Sequence, residues 1–508
     1  MLASKKLRGD GRNTMNVHLL ITLSCAGCLF ALSSLCRADE MARRPSPDGG
    51  ARRFLFNNDG TNLFFRADLT LELIHAHVDE CPKEITTYLL CPNGYQKMMY
   101  PSRHEEMVIV PAFRKLVEEG VDPFGAFLER VKQRGFETFV TFRINEVHNV
   151  HTPAFEQLSD FWRAHPEYRV ERGEKPKDWM AQCLDFSLEP VREYTLALLR
   201  EIIEKYDIDG IELDFMRFPR HLSGIPGEVW EKRGDLTELV ARTRAAADAR
   251  AEQRGRPFLV AVRIPTSLVG CRHLGVNVAE WTRRGLVDFV TVSPFLSTDF
   301  FMPIEEVREA MGGHAVPIYA GIEFGYSGNA HSEASIRAAA LGLYDSGADG
   351  IYLFNFPCWR EGNVEPPFEW LPQLRDPNLM KGKGLLFPLN KNIHRIPNID
   401  LPVPLPIHLA PSETGTLPLW LPASIRADDA EPDAAVLKLS PVQDLDVTFN
   451  GAKLQGIQDA FSVAPGLLKP GNNTITMTNH ADEAVIVDGL ALEIRHTESR
   501  RPITNGQK

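Results

Sequence analysis

The feature that most restricts the fold of this sequence is an alternation of strand-like and helix-like segments between residues 54 and 356. The strand-like segments are short runs of β-branched and aromatic residues, each bounded by Gly, Pro, Asn or Asp. Eight such runs occur, namely Phe54–Asn58, Thr86–Cys91, Thr138–Asn145, Gly210–Phe218, Phe258–Ile264, Asp288–Ser293, Val316–Glu323 and Gly350–Phe356.

Between these runs, apolar residues recur at three- and four-residue spacing, which predicts helices. Glycine follows several of them, as a helix end requires. Eight strand–helix units predict a (β/α)8 TIM barrel, since an open doubly wound sheet rarely supplies so many. The predicted helices are Leu69–Val78, Pro123–Arg134, Pro190–Lys205, Leu236–Arg254, Val278–Arg284, Ile304–Met311 and Glu333–Asp345.

The segments on either side of the barrel differ from it in composition. A basic stretch, the apolar run Val17–Leu35 and small residues after it predict a secretory signal peptide, with a membrane anchor or a lipoprotein as alternatives. Toward the C-terminus, short alternating strands and the hairpin signal Asn450-Gly451 predict a β-sandwich. The predicted division is a signal peptide at 1–38, the barrel at 50–364, a strap and linker at 365–405, the sandwich at 406–497 and a polar tail at 498–508.

Composition excludes several classes of protein. The chain of 508 residues is 44% hydrophobic and 24% charged, which is ordinary for a globular protein. Its net charge of −11 argues against a nucleic-acid partner. There is no GxSxG, HExxH or P-loop motif, and we expect no cofactor. Of the 8 cysteines, five lie beyond the leader without CxxC spacing, and sequence leaves open whether Cys81 and Cys91 pair.

The fourth predicted strand carries two carboxylates on one face. Side chains alternate along a strand, so Ile211 and Leu213 face the helices while Glu212 and Asp214 point into the barrel. Buried carboxylates are costly unless they are paired or used. We expect Asp214 at the mouth to be catalytic and Glu212 to bind substrate; the alternative is a structural pair neutralised by Arg143 or Arg263.

The same alternation places Glu323 at the inward top of the seventh strand. Glycoside hydrolysis needs two carboxyl groups, about 5–5.5 Å apart in retaining and about 6.5–9.5 Å apart in inverting enzymes. The sequence therefore predicts Asp214 and Glu323 as the catalytic pair. A glutamate held at the rim by an ion pair is the alternative.

Other predicted strand ends supply polar and aromatic groups suited to sugar hydroxyls and sugar faces. After strand three, Glu146 would become the acid if that strand were in fact the fourth. The HxxH spacing of His148 and His151 is a weak metal signal. The predicted substrate-binding residues, besides Glu212, are Asn57, Asp59, Arg143, Asn145, Glu146, His148, Arg263, Asn355 and Trp359.

Two stretches resemble a known family. DIDGIELDFMRFP (Asp207–Pro219) and the preceding Leu184–Tyr206 are similar to the glycosyl-hydrolase-like family 10 proteins, as are Arg143, Asn145 and His148 in strand three. The resemblance covers roughly residues 50–360 and implies a TIM barrel with glycosidase activity. The phrase Leu467–Thr476 resembles a segment of galactose-binding-like jelly rolls.

In another branch of that family a second aspartate follows the aspartate of strand four, where this chain has Phe215. The resemblance therefore assigns no catalytic roles, and Asp214 and Glu323 rest on the physical argument. The first hypothesis is a secreted or periplasmic glycoside hydrolase with a carbohydrate substrate. The alternatives are a non-catalytic carbohydrate-binding barrel and a metal-dependent hydrolase using His148, His151 and Asp214.

Overall fold

The structure is a computed structural model. The predicted signal peptide and the predicted tail lie outside the residues that it describes. Those residues fall in one unit that begins at Arg52. They are 53–104, 107–152, 154–171, 179–313, 316–326, 328–389, 404–425, 432–440 and 444–496.

Within these ranges, eight parallel strands close into a barrel in which each strand pairs with the next and the last pairs with the first. The TIM-barrel prediction is confirmed, and every predicted strand is present. The strands are β1 (Leu55–Asn58), β2 (Thr87–Leu90), β3 (Glu137–Arg143), β4 (Gly210–Asp214), β5 (Leu259–Ile264), β6 (Phe289–Val292), β7 (Ile318–Ile322) and β8 (Gly350–Leu353).

Side-chain alternation fills the barrel as the sequence predicts. On β4, Ile211 and Leu213 are fully buried against the helices, whereas Glu212 and Asp214 point into the lumen. The lower lumen is packed with large apolar and aromatic side chains, among them Leu89, Phe139 and Phe289. The register places Asp214 beside Arg143 on β3 and beside Arg263 on β5, so charged residues from neighbouring strands meet at the upper end.

The helices surround the barrel, and local sequence explains several of their ends. Asp122 caps one helix through the amide of Gly125, with Pro123 in its first turn, and Gly255 ends another in the left-handed region. The helices are α1 (Thr61–Phe64), α2 (Leu71–Asp79), α3 (Pro111–Glu118), α4 (Pro123–Gln133), α5 (Asp160–Ala164), α6 (Glu189–Lys205), α7 (Pro226–Glu231), α8 (Arg233–Arg254), α9 (Leu268–Leu274), α10 (Val278–Arg283), α11 (Ile304–Ala310) and α12 (Glu333–Asp345).

All seven predicted helices are present, and the sequence reading missed α1, α3, α5, α7 and α9. Each of these has eight residues or fewer, so it offers few repeats of an apolar period, although α10 and α11, with 6 and 7 residues, were predicted from theirs. None of the described helices combines the length and the apolar character needed to cross a bilayer.

The described C-terminal residues form antiparallel sheets, in agreement with the predicted sandwich. The strands are β9 (Leu385–Pro388), β10 (Ile407–Leu409), β11 (Thr414–Leu421), β12 (Ala434–Ser440), β13 (Leu445–Phe449), β14 (Ala452–Lys453), β15 (Gln455–Ile457), β16 (Ala460–Val463), β17 (Gly471–Asn479), β18 (Val485–Val487) and β19 (Gly489–Arg495). One sheet has the order β9-β19-β12-β16-β15, another has the order β11-β17-β13-β14, and β10 pairs with β18.

One part of the predicted strap belongs to a sheet. Strand β9 pairs with β19, and it buries Leu385 and Phe387 on one face in the alternation of a half-buried strand. Arg337 on α12 donates to the carbonyl of Gly384, just before β9, so this strand is also tied to the barrel. Strand β9 has only four residues and lies between proline-rich segments, so its alternation was too short to predict a strand from the sequence.

The base of the barrel gives a testable stability prediction at Gly210. A Cβ at this position would lie 2.4 Å from Phe139 Cε1 and 2.7 Å from the carbonyl oxygen of Leu259. Because packed interiors resist added volume, we expect Gly210→Ala to lower the free energy of unfolding by about 1–3 kcal/mol, measured with urea. Gly234→Ala, where no atom lies within 4 Å, is the control and should cause no loss. Equal stability of the two variants would contradict the packing.

Candidate active site

A carboxyl–guanidinium–carboxyl arrangement lies at the C-terminal end of the barrel. Arg263 Nη1 donates to Asp214 Oδ2 at 3.1 Å, and Arg263 Nη2 donates to Glu323 Oε1 at 2.9 Å. Asp214 is the last residue of β4, and Glu323 directly follows β7. All three side chains are at most 5% exposed. The structure therefore brings together the two residues that the sequence predicted as a pair.

Arg263 also limits how far apart the two carboxyl groups lie. The guanidinium is planar and rigid, so contacts to its two terminal nitrogens keep Asp214 Oδ2 and Glu323 Oε1 within about 8 Å of each other. That limit includes the spacing of retaining glycosidases and the shorter part of the inverting range, which is about 6.5–9.5 Å. Arg263 itself is held by Ser293 Oγ at 2.9 Å and by the ring of Phe354, 3.7 Å below its Cζ.

The two carboxyl groups have different surroundings. Burial raises the pKa of Glu323 to about 8, although Arg263 and Arg217 oppose the shift. Asp214 Oδ1 instead accepts hydrogen bonds from the backbone amides of Met216 at 2.8 Å and Arg217 at 3.0 Å. The site thus combines a carboxyl group whose direction is fixed by two backbone amides, Asp214, with a buried acid whose pKa is raised, Glu323.

Glu212 lies one layer below the mouth. It is fully buried and accepts hydrogen bonds from Thr141 Oγ1 at 2.8 Å and Tyr352 Oη at 2.7 Å. Burial, followed by the charge of Asp214, raises its pKa to about 7. That Glu212 binds substrate stays a prediction; in the structure its side chain is bonded to two hydroxyl groups within the lumen. The alternative of an arginine partner differs from the structure, in which Glu212 bonds hydroxyl groups.

A second ionic group lies beside the first at the ends of β1 and β3. Arg143 contacts Asp59 Oδ2 through Nη2 and donates to Glu146 Oε2 at 2.6 Å through Nη1. Glu146 Oε1 lies 2.6 Å from His148 Nδ1. Burial acts to raise the pKa of Glu146, but His148 and Arg143 hold it below its usual range. Four of the predicted substrate-binding residues therefore form one connected group of contacts, namely Asp59, Arg143, Glu146 and His148.

The strand count decides the alternative role of Glu146. Strand β3 pairs with β2 and β4, so Glu146 follows the third strand and not the fourth.

Among the described residues, no three His, Cys, Asp or Glu side chains form a group that could hold a metal ion. His151 is exposed, whereas His148 contacts Glu146.

The predicted amides mainly connect loops. Asn145 donates to the carbonyls of Leu184 and Arg220, at 3.2 and 2.9 Å. It was predicted to face the lumen and bind sugar, but β3 ends at Arg143, so the strand alternation no longer applies to it. Asn57 accepts from the amide of Asn355, which ties the end of β1 to the end of β8.

The predicted aromatic residue at the rim is covered. Trp359 is 2% exposed, and Phe324 packs edge-on against it with ring centroids 4.8 Å apart. Phe324 is 36% exposed, so it presents the ring that Trp359 was expected to present. The sequence reading missed Phe324, which lies beyond the end of β7 and directly follows Glu323.

Arg217 is the other residue at the mouth that sequence reading missed. The predicted fourth strand extended to Phe218, and its alternation would have placed Arg217 on the helix-facing side. The strand ends at Asp214, whose side chain accepts the amide of Arg217 and so forms a tight turn. The guanidinium consequently contacts His148 and Asp59, with Nη2 3.3 Å from His148 Nε2 and 3.9 Å from Asp59 Oδ2.

Comparison with known proteins supports the resemblance found in the sequence. Residues 83–227 match the family Glycosyl hydrolase-like 10. The match includes β3, β4 and the turn that carries Arg217, and it confirms the predicted resemblance over that segment. It supports a glycosidase-type function and an interaction with carbohydrate. No curated protein matches the chain.

Solved glycoside-processing enzymes are among the structural matches. The glycoside hydrolase domain of PgaB (BpsB) from Bordetella bronchiseptica is 10% identical, with 64% of this chain and 99% of that chain covered and a TM-score of 0.43. A family 18 N-acetylglucosaminidase from Paenibacillus barengoltzii is 13% identical, with 64% and 99% covered and a TM-score of 0.37. A Paenibacillus sp. cycloisomaltooligosaccharide glucanotransferase is 12% identical at a TM-score of 0.35; the match covers 87% of this chain and spans 57% of the glucanotransferase.

Proposed function

We propose that this chain is a secreted glycoside hydrolase that cleaves a poly- or oligosaccharide with Asp214 and Glu323. The observation that carries the proposal is the pair of carboxyl groups on one guanidinium at the barrel mouth. Active sites of TIM-barrel enzymes lie at this end of the barrel. Glycoside hydrolysis needs a protonated carboxyl group, and the raised pKa of Glu323 suits that role, while two backbone amides orient the second carboxyl group, Asp214.

Glu323 would act as the general acid. Its Oε1 accepts a hydrogen bond from Arg263, so the proton would be carried on Oε2 and passed to the leaving glycosidic oxygen. Asp214 would attack the anomeric carbon or activate water on the opposite face of the sugar. Its Oδ1 is held by two backbone amides, which fixes the direction of the carboxylate. Arg263 would be a positioning residue, since it contacts both carboxyl groups.

The rim would bind the sugar. The His148 side chain is 33% exposed, and Tyr95 and Phe218 pack edge-on against its ring. Phe324 adds an exposed aromatic face directly after Glu323. Aromatic rings pack against the C–H faces of sugars, while imidazole nitrogens bond hydroxyl groups. Secretion is proposed from the leader sequence alone.

A product-release assay tests the function. Purified protein without the leader would be incubated with a panel of acidic and neutral polysaccharides, and new reducing ends would be measured. We expect release from at least one polysaccharide by the unchanged protein and none by the Asp214→Asn, Glu323→Gln double variant. Glu306→Gln, on the exposed face of α11, is the matched control and should retain full release.

The alternative of a non-catalytic carbohydrate-binding barrel also has an observation in its favour, since Asp214 and Glu323 are both buried and engaged by Arg263. Calorimetric binding of a glycan that survives in the double variant, with no product from any polysaccharide, would replace the hydrolase proposal with this one.

A further inference from the structure

Arg217 differs from the other two arginines at the mouth in how its charge is matched. Arg143 and Arg263 each contact two carboxyl groups at 3.1 Å or less. Among the described residues, Arg217 forms one ion pair, with Asp59 at 3.9 Å, and that carboxylate already contacts Arg143. Its Nη2 also lies 3.3 Å from the ring nitrogen Nε2 of His148, and its Cζ lies over the ring of Phe218.

The unused donors of Arg217 are buried. Among the described residues, no hydrogen-bond partner is found for Nε or Nη1 of Arg217, although the side chain is only 8% exposed. Burying such donors without partners is costly, and a native structure usually retains them for a reason. The guanidinium presents its donors as a rigid fork, which matches the two oxygens of a carboxylate or the oxygens of a sulfate.

Arg217 also occupies a central place at the mouth. Its charge acts on Glu323 on one side and on Asp59 and Glu146 on the other. Arg217 lies in the turn that Asp214 holds through the amides of Met216 and Arg217, and the following residue, Phe218, is buried with a left-handed φ of 55. A group bound to Arg217 would therefore lie beside the catalytic pair rather than at a distant subsite.

We infer that Arg217 binds an anionic group on the sugar unit at the mouth, either the carboxylate of a uronic acid or a sulfate ester. The inference rests on the proposed glycosidase function, to which it adds the substrate class. The shared chemistry is a set of anionic oxygens that the fork of Arg217 can bind in a buried site.

Binding to matched pairs of glycans tests the inference without requiring turnover. The full chain without its leader, carrying Glu323→Gln, would be titrated calorimetrically with galacturonic, glucuronic, mannuronic and guluronic acid oligosaccharides and their carboxyl-reduced forms. Sulfated galactan oligosaccharides and their desulfated forms make up the second arm. Hydrogen bonds to charged groups support an expected preference of about tenfold or more for a charged probe over its neutral form. The arm that shows the preference identifies the anion.

Variants of Arg217 then test its role. Arg217→Met should abolish the preference for the charged probe over its neutral form, whereas Arg217→Lys, which keeps the charge without the fork, should retain part of it. Arg283→Met, at a residue 71% exposed on α10, is the control and should retain the full preference. Added NaCl should weaken the preference in the unchanged Arg217 protein.

The inference is overturned if no charged probe binds more tightly than its neutral form, or if the preference survives in Arg217→Met. Its failure is distinguishable from failure of the proposed function. Glu323-dependent release from a neutral polysaccharide without any charge preference would retain the hydrolase and remove the acidic substrate. An Arg217-dependent preference for charged probes, without release from any polysaccharide, would retain the binding of an acidic sugar and remove the hydrolase function.

Discussion

Replacement of Glu323 with Gln is expected to reduce kcat by about 10²–10⁴-fold on any polysaccharide that the unchanged protein cleaves. This factor is the usual contribution of a general acid. Gln preserves the shape of the side chain and the oxygen that accepts the hydrogen bond from Arg263. Its amide group is not an acid, so it cannot protonate the leaving oxygen. The fold should therefore persist. Initial rates of reducing-end release and thermal unfolding would be measured on the same preparation, with Glu306→Gln as the exposed control. A rate within threefold of the unchanged protein would remove Glu323 from the catalytic pair.

The pH dependence supplies a second readout at the same residue. Because burial raises the pKa of Glu323 to about 8, kcat/KM should fall as pH rises through about 8, where the acid loses its proton. The free energy of unfolding should change with pH in the same direction. A carboxyl group with a raised pKa in the folded state contributes fully below its ordinary pKa of 4.5, and that contribution is lost as pH rises toward 8. Relative to Glu323→Gln, the unchanged protein should therefore lose unfolding free energy between these pH values. Parallel stability curves would contradict the raised pKa.

The barrel and the inward direction of its carboxylates were predictable from the sequence because both depend on local periodicity. Alternation along β4 predicts that Asp214 points inward, and the same alternation along β7 places Glu323 at the top. Closure of the parallel sheet then brings the ends of those strands together. No pairing information beyond strand order was needed for this step.

The partners of these residues were not predictable, since they depend on where each strand ends. Arg217 turns into the mouth because Asp214 ends β4 and captures the next amides with its side chain. Asn145 leaves the lumen because β3 ends two residues earlier, at Arg143. Glu212 bonds Thr141 and Tyr352 because the barrel places β3 and β8 around it, and Tyr352 is far away in sequence. Strand ends and cross-barrel contacts are tertiary properties that a single-sequence period does not contain.

Removal of the Arg263 guanidinium is expected to cause the largest loss of stability at the mouth. Arg263→Met retains much of the side-chain volume over Phe354 but leaves two buried carboxyl groups without their shared cation. Breaking a buried ion pair by removing one partner costs about 3–5 kcal/mol, whereas an exposed arginine contributes about 0–1 kcal/mol. Urea unfolding at pH 7.5 should show this loss in Arg263→Met and almost none in Arg283→Met.

The same variant should recover stability as pH falls. Without Arg263, the folded-state pKa of Glu323 rises further, because burial then acts without its main opposing charge. Carboxyl groups with raised folded-state pKa values destabilise the protein at high pH and cease to do so once they are protonated in both states. The difference between Arg263→Met and the unchanged protein should therefore shrink when urea unfolding is repeated near pH 4.5. Arg263→Lys should fall between the two proteins, because one ammonium group does not span both carboxyl groups in the way a planar fork does. A pH-independent loss in Arg263→Met would mean that Arg263 stabilises the mouth by packing on Phe354 rather than by holding the two carboxyl groups.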